Sequence, residues 1–325
     1  MNEPVFENRI DLKDLQETVK KLKTEIGKII VGQEKMVELL LIAILSDGHV
    51  LLEGVPGIAK TLTAKLIAKT IDTGYSRVQF TPDLMPSDIL GTSIFNVKTA
   101  EFEFHKGPIF SNIILIDEIN RAPAKTQSAL FELMEEQQVT IDGTQHKMNS
   151  PFLVLATQNP IDQEGTYKLP EAQLDRFLFK ISIDYPSLEQ EVEILDRHHN
   201  NRHLTDLTEV KTILKPEQIE GFRKKVANVH IEPNLLKYIA EIVHKTRNNN
   251  SLFLGASPRA SLAIMEGSKS FAAIHGRDFV KPEDIKKMVY PVLNHRIILS
   301  PEKEMEGVTT KKVIEQIVDN VEIPR

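Results

Sequence analysis

Gly54-Val55-Pro56-Gly57-Ile58-Ala59-Lys60-Thr61 is the stretch whose reading decides the fold. It follows an apolar run, Val50-Leu51-Leu52, and precedes a helix-like stretch, Leu62-Thr63-Ala64-Lys65-Leu66-Ile67-Ala68. The spacing Gly-x-x-x-x-[Gly/Ala]-Lys-Thr between a strand and a helix is that of a phosphate-binding loop. The physical basis is an anion site: N–H groups of a tight loop point inward, and the positive end of a helix dipole lies behind them. Residues Gly54 to Leu62 are therefore the expected nucleotide contacts. Lys60 is placed to reach the β- and γ-phosphates, and the Thr61 hydroxyl to ligate Mg²⁺. Ala59 stands where this loop usually has Gly, a position at the helix start that alanine is expected to tolerate.

Composition bounds the rest. A chain of 325 residues suggests one large or two modest domains. With 41% apolar and 26% charged residues it can bury a proper core. The net charge of −6, without a sizeable basic block, argues against nucleic acid as the main partner. The absence of cysteine excludes disulfides and thiol catalysis. Met1 to Asp14 lacks the apolar core of a signal peptide. The longest apolar run, Leu39 to Leu45, is too short to span a bilayer and reads as a buried helix. A cytoplasmic protein without a membrane span is the expectation.

Helical spacing of Leu12, Leu15, Val19, Leu22 and Ile26 predicts a first helix, and a second runs from about Gln33 to Leu45. Short apolar strands then alternate with helices: His49–Leu52, Arg77–Phe80, Ile113–Ile116, Phe152–Ala156 and Phe179–Ile183. Brief, largely apolar strands separated by helices predict a parallel α/β sheet sandwiched by helices. Two hairpins interrupt the pattern. One pairs Thr92–Val97 with Glu101–His105; the other flanks the turn signal Asp142-Gly143. After Tyr185-Pro186 everything reads helical, with Pro216, Pro258 and Pro282 as first-turn prolines, Ser257 as an N-cap and Gly276 as a helix stop. The expected division is an α/β nucleotide domain over 1–187 and a smaller all-helical lid over 188–325.

Ile113-Ile114-Leu115-Ile116 delivers Asp117 and Glu118 to the carboxyl edge of the sheet, where open α/β folds place ligands. Asp117 is read as the Mg²⁺ carboxylate and Glu118 as the group that orients or deprotonates the attacking water. Each acid alone would suit a solvated strand end; the phosphate loop upstream gives the pair its chemistry. Ala156-Thr157-Gln158-Asn159-Pro160 follows another apolar strand, and an amide there can bond the attacking water or the γ-phosphate. Two arginines stand out, Arg176 in Leu174-Asp175-Arg176-Phe177 and Arg259 in Ser257-Pro258-Arg259. Phosphoryl transfer calls for cations to offset transition-state charge.

The order of phosphate loop, Asp-Glu strand, Asn strand, Arg box and helical Ser-Pro-Arg resembles the AAA+ ATPases from about Ile30 to Leu299. Closer still, several strings resemble the MoxR family and its helix-2-insert clade: the loop at 54–61, Gln-Phe-Thr-Pro-Asp-Leu-Met-Pro-Ser-Asp-Ile-Leu-Gly at 79–91, Gly-Pro-Ile-Phe at 107–110, Asp-Glu-Ile-Asn-Arg-Ala at 117–122, Ala-Thr-Gln-Asn-Pro at 156–160 and Leu-Pro-Glu-Ala-Gln-Leu-Asp-Arg-Phe at 169–177. The resemblance implies ATP and Mg²⁺ as cofactors. It makes Val31 and Gly32 part of the adenine pocket, Asn159 the sensor-one residue, Arg176 the arginine finger reaching a neighbouring subunit's ATP, and Arg259 the sensor-two residue, in cis or in trans. It further implies a homo-oligomeric, hexameric ring with both hairpins near its pore, a partner protein bearing a von Willebrand factor A domain, and a protein client.

The function so implied is chaperone-like remodelling driven by ATP hydrolysis. Two rivals share the machinery: a magnesium-chelatase-like motor subunit and a nucleic-acid motor. The second wants basic hairpins, whereas here Lys98, His105, Lys106, His146 and Lys147 are mixed with Glu101, Glu103 and Asp142. The intact Glu118 argues against a nucleotide-gated scaffold with little turnover.

Overall fold

The computed structural model describes residues 10–54, 59–158, 167, 169–200, 207 and 209–324. The chain forms two compact units: Leu22–Ile219, and the residues from Glu220 onward together with the N-terminal segment up to Lys21.

Helix and strand alternate through the first part: α1 (Lys13–Gly27), α2 (Glu34–Leu45), β1 (His49–Glu53), α3 (Lys60–Thr70), β2 (Tyr75–Gln79), α4 (Pro86–Leu90), β3 (Gly91–Asn96), β4 (Glu101–Lys106), β5 (Ile113–Asp117), α5 (Ala124–Glu136), β6 (Gln138–Ile141), β7 (Thr144–Lys147), β8 (Leu153–Gln158), α6 (Glu171–Leu174), β9 (Phe177–Ser182) and α7 (Leu188–Asn200). Five strands make one parallel sheet in the order β2-β5-β8-β1-β9. In β1, β5 and β8 every residue but the last is buried, as strands covered on both faces require. The core includes Leu51, Ile114, Ile116, Phe131, Phe152, Val154 and Phe177. His49 opens β1 as a structural side chain. Its Nδ1 accepts the Val154 N–H at 3.1 Å, while Nε2 lies 3.1 Å from the Met134 carbonyl.

The register sets the site. Gln79 pairs with Asp117, Ile116 with Ala156, and Leu52 with Thr157. The polar residues that end β2, β5 and β8 therefore emerge side by side at the carboxyl edge.

Both expected hairpins form, β3 with β4 and β6 with β7. Asp142 (φ 49°) and Gly143 (φ 77°) take the paired left-handed conformations that a tight two-residue turn needs. The hairpins meet each other. The Ser93 hydroxyl donates to Asp142, and the Phe104 ring lies 4.5 Å from that of His146.

The remaining elements are α8 (Pro216–Ala227), α9 (Pro233–Arg247), β10 (Leu252–Leu254), α10 (Pro258–Ile274), α11 (Pro282–Leu293), β11 (Ile298–Leu299), α12 (Pro301–Met305) and α13 (Thr310–Asp319). Helices α8, α10 and α11 start at the expected prolines. The Ser257 hydroxyl accepts the Arg259 N–H at 3.1 Å as an N-cap, and Gly276 (φ 71°) follows the last turn of α10. Within this unit α10 packs between α9 and α11, and α13 lies against α9 and α11, around the buried Tyr238, Ile264 and Phe271.

One expectation changes here. The region after Tyr185 is not wholly helical: β10 and β11 pair antiparallel. Strands of three and two residues are too short to show alternation. The two compact units divide at Ile219/Glu220. Backbone bonds hold the later segment to the sheet unit, Ile213 and Leu214 N–H to the Thr70 carbonyl and Lys211 N–H to Glu25. Conversely, Lys225 binds Asp14 at 2.7 Å, which ties the start of α1 to the helical unit.

Candidate functional site

Strand β1 ends at Glu53, and the chain re-enters helix at Lys60. The Lys60 ammonium donates to the Gly54 carbonyl at 2.5 Å. Burial pushes its pKa below the ordinary lysine value, opposed by the nearby charges of Asp117 and Glu53. This half-buried cation, facing the edge where the acids lie, is what a multiply charged anion would select. Glu53 also pairs with Lys180 at 2.7 Å. Thr61 and Leu62 form the first turn of α3. Val55, Pro56, Gly57 and Ile58 lie outside the described residues.

Ala59 corrects an expectation. It does not share the helical conformation of α3; it caps the helix in the left-handed region, φ 60° and ψ 18°. That is the conformation for which Gly is ordinarily kept, and an alanine there carries roughly 1–2 kcal/mol of strain. The alanine is therefore held against its intrinsic preference.

Asp117 is engaged through both oxygens. Arg77 Nε on β2 donates to Oδ2 at 2.6 Å, and the Thr157 hydroxyl on β8 donates to Oδ1 at 3.2 Å. The hydrogen bond to Asp117, then its charge, raises the Arg77 pKa further. Glu118 follows in the left-handed conformation, φ 56° and ψ 52°, strained for a residue with a side chain. Its N–H donates to the Thr157 hydroxyl oxygen at 3.0 Å. Its carboxylate receives two donors on one oxygen: Gln79 Nε2 at 3.0 Å and Arg121 Nη1 at 2.8 Å. The backbone turn thus separates two consecutive acids, each in its own donor set. Asn159 lies outside the described residues.

Arg176 precedes β9. Its Nη1 donates to the Phe131 carbonyl at 2.7 Å and pairs with Glu135, both on α5 of the same chain. Gly32 sits at φ 75°, a conformation that favours glycine, with the flexible Gln190 side-chain end close by. Val31 is half-buried beside it. Arg259 belongs to the other unit, exposed in the first turn of α10.

Sequence reasoning missed Arg77, Gln79, Arg121, Glu135 and Thr157. Arg77 and Gln79 alternate on one face of β2, and Arg121 lies one helical turn past Glu118; those signals were present but become specific only once the strand order is known. The donor set suits a hard dication. Thr61 and Asp117 would offer such a cation one hydroxyl and one carboxylate oxygen, leaving positions for phosphate and water.

Residues 49–179 match the family described as "ATPase family associated with various cellular activities (AAA)", and residues 244–317 match the AAA lid domain. The chain is 44% identical over 311 residues to the uncharacterised protein YeaC of Bacillus subtilis, covering 96% of each. It is 44% identical over 317 residues to the chaperone MoxR1 of Mycobacterium tuberculosis, covering 95% of this chain and 83% of that one. It is 31% identical to the protein MoxR of Paracoccus denitrificans, covering 85% and 87%. A crystal structure from Cytophaga hutchinsonii has a TM-score of 0.89 at 47% identity, covering 96% of this chain and 97% of that one.

Proposed function

The chain belongs to the MoxR family of AAA ATPases, and on that premise we propose that it hydrolyses Mg·ATP to remodel or mature protein clients. The observation that carries this reading is the separation of two consecutive acids at the carboxyl edge: Asp117 faces Arg77 and Thr157, while Glu118 is turned by its left-handed backbone toward Gln79 and Arg121. Bound Mg²⁺ would draw charge from the β- and γ-phosphates. The chain's own groups supply the rest. Lys60 neutralises phosphate charge, Thr61 and Asp117 hold the metal, and Glu118 takes the proton of the attacking water. Asn159 supplies an amide to that water or the γ-phosphate.

Arg176 serves a neighbouring subunit's site, which makes the working unit a ring, hexameric by the family pattern. Arg259 is the sensor-two residue by the family pattern, and Val31 and Gly32 line the adenine pocket. A von Willebrand factor A-domain partner and a cytoplasmic setting belong to the same proposal; among the described residues no helix is long and apolar enough to cross a membrane. The client reading also draws on the name of the mycobacterial relative, a chaperone. The test is capture by Glu118→Gln in ATP, which should retain partners and clients that the wild type releases. A variant that binds ATP, fails to turn over and retains no protein would overturn the remodelling reading.

A further inference from the structure

Thr157 occupies a position that neither the strand pattern nor the acid pair singles out. It is the penultimate residue of β8 and 5% exposed, between β5 and β1. Its single hydroxyl does two jobs at once. It donates to Asp117 Oδ1 at 3.2 Å and accepts the Glu118 N–H at 3.0 Å. A hydroxyl is the smallest side-chain group able to donate and accept in this way. The first bond fixes the plane of the carboxylate. The second satisfies the N–H of a residue held at φ 56°, a conformation that persists only where its surroundings impose it.

We propose that Thr157 is a positioning residue that couples the metal-facing Asp117 to the backbone turn that aims Glu118. The proposal rests on the reading of Asp117 as metal ligand and Glu118 as the base. Through one oxygen atom, a change in how Asp117 sits is felt at the Glu118 amide. A valine at 157 has nearly the same shape and neither bond. It leaves the Glu118 N–H unsatisfied and frees the Asp117 carboxylate to rotate on the Arg77 side.

Partners of metal ligands typically hold tenfold to a hundredfold in metal affinity, and a misplacement of about 1 Å at a reacting group can cost on the order of 10² in rate. Thr157→Val should therefore raise the Mg²⁺ concentration that half-saturates binding of a non-hydrolysable ATP analogue by roughly tenfold or more. It should also lower kcat by about 10². Thr157→Ser should restore both to within about threefold, since it keeps the hydroxyl.

The measurements are calorimetric titration of the analogue across a Mg²⁺ series, steady-state phosphate release, and circular dichroism to verify folding. Should the valine variant not fold, Thr157→Ala against Thr157→Ser carries the test, because both remove the methyl and only serine keeps the hydroxyl. Equal Mg²⁺ dependence and equal kcat in that pair, or a folded valine variant indistinguishable from wild type, would overturn the proposal. Asp117→Asn separates the two levels. If it weakens the Mg²⁺ dependence while the threonine variants do not, Thr157 alone is refuted. If Asp117→Asn leaves the Mg²⁺ dependence untouched, the metal reading beneath the proposal fails with it.

Discussion

Arg176→Ala separates a structural arginine from one that works across a subunit boundary. In its own chain the guanidinium donates to the Phe131 carbonyl at 2.7 Å and pairs with Glu135. A charged hydrogen bond of that kind is worth about 1.5–3 kcal/mol. The ion pair has side chains 29% and 39% exposed, so screening discounts it to about 0–1 kcal/mol. The local loss is thus about 2 kcal/mol, a fall of roughly 4–8 °C in Tm for a unit of this size. An arginine finger contributes far more to turnover, on the order of 10³–10⁵, which is about 4–7 kcal/mol. Arg176→Ala should remain folded at 25 °C, bind ATP in its own subunit and fail to hydrolyse it. Glu135→Gln is the control: it removes the ion pair, leaves the finger, and should hold turnover at or above wild type. Mixing Arg176→Ala with Lys60→Ala should restore activity, because a head-to-tail pair then contains one complete site. The assays are phosphate release, nucleotide titration and thermal unfolding. Turnover that falls only with the folded fraction, or verified mixed oligomers that stay inactive, would return Arg176 to the role of an α5 brace.

Three other outcomes follow from the geometry. Glu118→Gln should keep Mg·ATP affinity and slow phosphate release by roughly 10²-fold or more; surviving turnover would leave Glu118 as a strand-end carboxylate. Lys60 has its pKa lowered from 10.5, chiefly by burial, so the unfolded chain holds that proton more tightly and stability of the empty protein rises as pH climbs through the window below 10.5. ATP affinity should fall over that same window, because phosphate needs the ammonium, and a titration series from neutral to alkaline pH that stays flat would contradict it. Tyr238→Phe should stabilise the lid by about 1 kcal/mol, since its buried hydroxyl lacks a hydrogen-bond partner among the described residues and such a group costs about 1–3 kcal/mol; a lower denaturation midpoint would reveal a partner for that oxygen.

How much of this was legible in the sequence depends on whether the signal was local. The five strands, both hairpins and the prolines that open α8, α10 and α11 were readable because strand burial, turn chemistry and first-turn proline act within a few residues. The placement of Lys60 at the head of α3 and of Asp117 and Glu118 at the end of β5 was readable for the same reason. The β10–β11 pair was hidden because its two strands lie more than forty residues apart and together number five residues. The attachment of residues 211–214 to the sheet unit was hidden because backbone bonds from Ile213 and Leu214 to Thr70 leave no compositional trace. Ala59 was misjudged for a related reason: the motif gives its place in the loop, but its φ of 60° belongs to the folded backbone.

The charge partners were also out of reach, and they alter the meaning of the site. Each principal charged group already has one within the chain: Lys60 with the Gly54 carbonyl, Asp117 with Arg77, Glu118 with Arg121, Arg176 with Glu135. On the proposed reading, nucleotide would enter by exchange of these partners. A phosphate that takes Lys60 frees a carbonyl, and a dication that takes Asp117 meets the Arg77 cation at 2.6 Å from the same carboxylate. Arg77 holds Oδ2, while Oδ1 meets the Thr157 hydroxyl. Gln79 lies two residues further along the same face of β2 and holds Glu118. On the proposed roles, a change at Arg77 would be carried along β2 to Glu118. Strand β2 sits at the sheet edge, where it can shift without breaking a second ladder.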